Sequence, residues 1–266
     1  MKINSLEFNV EVEGEGEVLV WGHGLTASIE SEDLLDIFQW HKFSKEAKLV
    51  RYDARGHGKT QASNSPSDYH WKNLANDMLS VANEVGVDTF IAGGQSMGCA
   101  TTIYSAMLAP KRIKSMILMN PPTAWHTRAE QGKLYHKLAT VGGLLGGRIL
   151  AKLMARKPER LLPAWLVAAK KENIQGVFEG IKPIKRKTLS NLFKGAALTD
   201  LPSKEELKSI NLPTLILAWT GDPSHPVETA TELHQIMANT ELYIADKYSD
   251  LQHWPQLIRN FVAKTQ

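Results

Sequence analysis

At 266 residues the chain can bury a sizeable core, and 43% hydrophobic with 22% charged residues excludes a disordered polymer. A net charge of +3 is too mild to point to nucleic acid, and the single cysteine, Cys99, excludes an intramolecular disulfide framework or a cysteine-based zinc site. The opening residues lack the apolar stretch of a signal peptide, and the longest near-apolar run, 161–169, is interrupted by Pro163 and too short to cross a bilayer, so a cytoplasmic protein is expected.

Residues 6–12 alternate apolar and polar side chains, the period of a half-exposed edge strand, and the Gly-Glu repeat at 13–17 reads as a turn. Residues 18–21 are continuously apolar, as in a strand covered on both faces, and run into Gly22-His23-Gly24-Leu25. A third strand is expected at 47–52, followed by Asp53-Ala54-Arg55-Gly56-His57-Gly58, and a helix over 69–85 that closes at Gly86. An apolar run to Ala92 then ends in glycines, and helical spacing begins at Met97. Between the two lies Gly94-Gln95-Ser96-Met97-Gly98, a strand–turn–helix junction of the form Gly-x-Ser-x-Gly. Residues 113–119 form another buried strand, broken at Asn120-Pro121-Pro122.

From 123 to 204 strand-like runs vanish, and helical patterns are interrupted by paired glycines and by Pro158, Pro163 and Pro183. Residues 128–194 hold 15 Lys/Arg against 4 Glu, a net of +11, which leaves 16 basic and 24 acidic residues elsewhere, a net of −8. That charge fits solvated helix faces, an anionic substrate, or an acidic partner or membrane surface. Strand and helix alternate again after Pro213, with strands at 214–219 and 241–245 and helices at 227–237 and 253–264. The whole pattern implies an α/β protein whose mostly parallel sheet is flanked by helices, with residues 1–122 and 205–266 as the core domain and 123–204 as an inserted helical domain.

In an open parallel sheet the crevice lies at the carboxyl ends of the strands. The polar residues there are His23, Asp53, Ser96, Asn120, Asp222 and, after the last strand, Asp246, Asp250 and His253. A serine hydroxyl needs a base, and the base needs a carboxylate to fix its tautomer. His253 follows the last strand and opens the last helix, so it is the expected base. Asp222, in a turn rich in glycine and proline, is the expected acid. Asp250 stands only three residues from His253, a poor reach for an orienting acid. His23 and His57 are expected to tie loops together, and His225 to be a surface or crevice histidine.

Taken together, His23-Gly24, Asp53-x-Arg55-Gly56-His57-Gly58, Gly94-x-Ser96-x-Gly98, Gly221-Asp222-Pro223 and the late His253 resemble the α/β-hydrolase-fold family over nearly the whole chain. The resemblance implies Ser96 as nucleophile, His253 as base and Asp222 as acid, with the N–H groups of Leu25 and Met97 as the oxyanion hole. It also implies that the basic segment, inserted after the sixth strand of that fold, is a cap over the pocket. Trp125 and Trp254 are expected to contact substrate, and Trp165, Phe178 and Phe193 to line an apolar pocket or pack within the cap.

The chemistry that follows is acyl transfer to water from a carboxylic ester, thioester or lactone, with no metal or organic cofactor and a small acyl substrate as the partner. A homodimer is compatible with the sequence. The elbow and His253-Trp254 also resemble the meta-cleavage-product hydrolases, which break carbon–carbon bonds. Those enzymes carry Asn at the position of Gln95, Gly at that of Cys99, and a cap arginine that none of Arg128, Arg148, Arg156, Arg160 and Arg186 identifies itself as. A small-ligand receptor that retains the three residues is the reading from a different class.

Overall fold

In the computed structural model, which describes residues 1–265, the apolar runs are the strands of one sheet. The chain opens with a small hairpin, β1 (Lys2–Ile3) and β2 (Leu6–Glu7), turned by Asn4 and Ser5 at φ 47° and 65°. It continues through β3 (Val10–Glu13), β4 (Val18–Gly22), α1 (Ile29–Leu35), α2 (Trp40–Phe43), β5 (Lys48–Tyr52), α3 (Trp71–Glu84), β6 (Phe90–Gln95), α4 (Met97–Leu108) and β7 (Ile113–Met119). A helical stretch follows: α5 (Arg128–Leu145), α6 (Gly147–Ala155), α7 (Ala164–Ala169), α8 (Lys171–Glu179), α9 (Arg186–Ala197) and α10 (Lys204–Lys208). The chain then closes with β8 (Thr214–Trp219), α11 (Val227–Ile236), β9 (Thr240–Ala245), α12 (Tyr248–Leu251) and α13 (Trp254–Lys264).

The main sheet has the order β3-β5-β4-β6-β7-β8-β9; β3 pairs antiparallel with β5 and every other pair is parallel. The sheet divides two cores by the two-residue period of its strands. Val20, Ala92, Leu118 and Ile216 face α3, α4 and α11, whereas Leu19, Trp21, Ile91 and Leu217 face α1, α13 and the inserted helices.

The edge strand expected over 6–12 is interrupted at Phe8 and Asn9. Asn9 leaves the alternation because Asp53 engages it twice: Asn9 Nδ2 donates to Asp53 Oδ2 at 2.9 Å, and Asp53 N donates to Asn9 O at 3.0 Å. The inserted helices are pinned to the core by a buried cation. Arg128 lies 4.4 Å over the Trp71 ring and 5.3 Å over Tyr135, and it donates to the carbonyls of Thr199 (2.8 Å) and Ala196. One guanidinium thereby joins the start and the end of the insertion to α3.

Candidate active site

Ser96 stands between β6 and α4 with φ 55° and ψ −110°, a conformation that ordinary side chains avoid. The flanking glycines make this turn possible by close approach. A Cβ on Gly98 would lie 1.9 Å from the Gly22 carbonyl oxygen, and one on Gly94 would lie 2.5 Å from the Gly98 carbonyl carbon. Helix α4 therefore starts directly against β4, which carries His23 and Gly24 to the same spot. Leu25 lies on the wall of the cavity that also contains Ser96. Among the described residues neither the Leu25 N–H nor the Met97 N–H has an acceptor, so both are free to bind an oxyanion.

The loop carrying Leu25 is held by groups that do not touch Ser96. Ala54 N donates to His23 Nε2 at 2.9 Å, which leaves Nδ1–H to donate to Gly24 O at 2.8 Å and fixes the neutral tautomer. Burial pushes the His23 imidazole below its ordinary value, against the pull of Asp53. Asp53 accepts from Ile29 N (2.8 Å) and Lys59 N (2.9 Å), which locks the start of α1 to the loop after β5. His57, also buried, falls to about 3 through desolvation and the nearby His23. His23 ties two loops, as expected, whereas His57 bonds only within its own loop, Nδ1 to Arg55 O at 3.0 Å, with no partner for Nε2 among the described residues. Asn120, like His23, joins two segments, accepting from Trp219 N at 3.1 Å.

The histidine that meets Ser96 is His225. Its Nε2 lies 2.7 Å from Ser96 Oγ, and its Nδ1 lies 2.7 Å from Asp222 Oδ2. A carboxylate only accepts, so Nδ1 carries the proton and Nε2 is left to accept from the serine hydroxyl. Burial alone would raise the Asp222 carboxyl; the neighbouring His225, the Trp219 indole N–H (3.0 Å) and the Ser224 N–H (2.9 Å) hold it below its usual value instead.

His253 is not at the site. It caps α13 with an exposed side chain that makes no hydrogen bond among the described residues. The chain spends residues 246–252 on a turn and on α12, and this delivers His253 to the outer end of the last helix. The three-residue spacing that disfavoured Asp250 for His253 is the spacing that joins Asp222 to His225. It works in this turn because His225 N bonds back to Asp222 O at 3.1 Å, while Pro223 and Pro226 restrict the path between. The Pro-bracketed sequence Gly221-Asp222-Pro223-Ser224-His225-Pro226 was the available signal.

Two aromatic expectations also change. Trp254 is 1% exposed and stacks on Trp219 at 6.0 Å, so it supports the indole that holds Asp222 and is absent from the cavity wall. Trp125 lies at the junction of core and insertion, its Nε1 donating to Pro202 O at 2.9 Å, and it too lies off the wall. Trp165 packs edge-on against Trp219. Phe178 and Phe193 do line the cavity, which encloses about 170 Å³ beside Ser96 and His225.

Sequence reading overlooked one wall residue. Glu32 of α1 is 6% exposed, accepts from Trp21 Nε1 at 3.0 Å, and faces the cavity among Leu35, Tyr135, Leu138 and Leu162. Burial pushes its carboxyl up to about 7, against the Trp21 hydrogen bond and Arg51. No lysine or arginine lies on this wall among the described residues, and Lys185, Arg186 and Lys187 are exposed on the outside. Cys99 is buried, its Sγ donating to Met119 O at 2.9 Å, and burial keeps the thiol protonated.

Comparison with known proteins agrees with this layout. The family model described as alpha/beta hydrolase fold matches residues 17–257. A 3-oxoadipate enol-lactonase of Acinetobacter baylyi is 22% identical over 205 residues, 75% of this chain and 70% of that protein. The crystal structure of the enol-lactonase from Burkholderia xenovorans superposes with a TM-score of 0.85 at 19% identity, covering 99% of both chains. A meta-cleavage product hydrolase from Pseudomonas fluorescens gives 0.79 at 15% identity, covering 100% of this chain and 97% of that one.

Proposed function

We propose that this protein, which belongs to the α/β-hydrolase fold family, hydrolyses an uncharged carboxylic ester, thioester or lactone with Ser96 as nucleophile, His225 as base and Asp222 as orienting acid. The observation that carries this reading is the unbroken line of two 2.7 Å contacts from Ser96 Oγ through the His225 ring to Asp222 Oδ2. Ser96 Oγ attacks the carbonyl carbon while His225 Nε2 takes its proton. The Leu25 and Met97 N–H groups receive the oxyanion, and Asp222 stabilises the imidazolium. His225 returns the proton to the leaving oxygen or sulfur, then deprotonates a water that attacks the acyl-enzyme. The helices over 123–204 act as the cap, since α5, α6 and α8 supply wall residues to the cavity.

Hydrolysis of short p-nitrophenyl esters by wild type and Ser96→Ala tests the reaction class. The substitution should lower kcat by roughly 10⁵-fold or more, as removal of the serine does in a well-studied serine hydrolase. Equal rates in the two proteins would end the proposal. Wild-type turnover also separates an enzyme from a receptor, which would bind and stop.

The uncharged substrate follows from the wall. An anionic acyl group would meet Glu32 and no counter-charge, so it would lose hydration without compensation. The same absence of a wall cation counts against a carbon–carbon hydrolase that relies on a cap arginine. Because the Glu32 carboxyl is raised to about 7, it is largely protonated below that pH and ionises above it. Apolar substrate deepens its burial and therefore favours the protonated form. KM for a neutral ester is expected to rise roughly threefold to tenfold between pH 6 and pH 8.5. Glu32→Gln should flatten that rise while retaining kcat, and a rise that persists in Glu32→Gln would assign it elsewhere.

A further inference from the structure

Helix α6 presents two stripes to the outside. At 100° per residue, Arg148, Lys152 and Arg156 follow one another at i, i+4 and i+8 along one line, and Ile149 and Leu153 form a parallel line beside them. Leu150 and Ala151 turn inward, and Met154 reaches the wall of the catalytic cavity. The apolar stripe continues into the end of α5. Leu144 is 67% exposed, Leu145 43%, Ile149 45% and Leu153 43%, a run of large aliphatic side chains open to the outside.

The cations beside it are not neutralised. Among the described residues Arg148, Lys152 and Arg156 form no ion pair, and they stand along an open groove whose only carboxylate, Glu179, is taken by Lys182 at 2.5 Å. Arg186 packs over Gly146 at the start of the same helix. Among the described residues Arg148, Lys152 and Arg156 therefore have no counter-charge on this face, and the net −8 lies outside residues 128–194. Exposed leucines alone would suit a second copy of the chain. An antiparallel two-fold contact through this helix, however, would bring its cation stripe against the same stripe of the other copy. A surface that is apolar beneath and negative above satisfies both stripes at once.

We propose that the outer face of α6, with the end of α5, docks this protein on an anionic lipid surface. The leucines and Ile149 enter the acyl boundary while Arg148, Lys152 and Arg156 meet lipid phosphates. No helix among the described residues is long and apolar enough to cross a membrane, so the attachment is peripheral. Docking would bring α6, whose inner side chain Met154 lines the cavity, to the place where apolar esters concentrate.

Co-sedimentation with phosphatidylcholine vesicles, with and without phosphatidylglycerol, tests the surface directly. The wild type should bind only the mixed vesicles, and more weakly at high salt. Each cation is worth about fivefold in partition near such a surface, so the triple change Arg148→Gln/Lys152→Gln/Arg156→Gln should cost about 100-fold. Ile149→Asn/Leu153→Asn should abolish the binding that survives high salt. Unchanged melting by circular dichroism shows that both variants are folded, a readout independent of any esterase activity. Absence of vesicle binding, equal binding to neutral vesicles, or variants that bind like the wild type would overturn the proposal. A solution dimer that Ile149→Asn/Leu153→Asn dissociates would also overturn it, in favour of a second copy.

Discussion

His225→Ala lowers kcat on an ester by about 10³–10⁴-fold or more, and His253→Ala leaves it within about twofold. The two histidines differ by geometry, not by chemistry. His225 has the serine oxygen on one nitrogen and a carboxylate on the other, both at 2.7 Å. His253 ends in solvent at the first turn of α13. Asp222→Asn would leave the turn in place but offer Nδ1 an amide in place of a carboxylate, so kcat should fall by roughly 10⁴ there too. Paired kinetics of the two histidine variants on one chromogenic ester decide the matter. A large loss in His253→Ala with little in His225→Ala would return the base to the last helix and require the turn after β8 to rearrange.

Gly98→Ala destabilises the protein by about 3 kcal/mol or more, the upper end for an overpacked core. The added methyl would sit 1.9 Å from the Gly22 carbonyl oxygen, which belongs to a central strand and cannot swing away as a side chain would. Either α4 withdraws from β4 or the strand bends, and each displaces the serine turn as well. Set against a typical stability of about 5–15 kcal/mol, this is a large fraction. Urea unfolding of the variant should show a clearly lower midpoint together with lost esterase activity. An unchanged midpoint would mean that the close approach of α4 and β4 is looser than the backbone positions indicate.

Sheet strands at the centre of the fold were legible because burial on both faces leaves a continuous apolar run. The strands at 113–119 and 214–219 and the helix starting at Met97 fall where periodicity places them. The serine turn was legible because Gly94 and Gly98 mark a steric requirement local to five residues. What failed was direction. A histidine after the last strand looks well placed, but whether it points inward depends on how residues 246–252 coil, and no periodic signal encodes that. Glu32 failed for a similar reason. Glu30, Glu32 and Asp33 are alike in sequence, and only the rotation of a seven-residue helix decides which of them turns inside. Trp254 and Trp125 were read as substrate contacts because large aromatics suit both pockets and cores; the stacking of Trp254 on Trp219 is a contact between β8 and a helix some thirty-five residues further on.

The proposed acid and base, Asp222 and His225, share one loop of the chain, Gly221 to Pro226, between β8 and α11. Their relative position is therefore set by local covalent geometry, and they form a single cooperative unit with respect to local opening. If that loop lifts, Ser96 loses both partners together; while it stays closed, neither can drift from the other. On this reading the remaining C-terminal segment supplies no proton acceptor, and its ties to the site are mechanical: Trp254 stacks on Trp219, and Thr220 N donates to Ala245 O at 3.0 Å just before the loop.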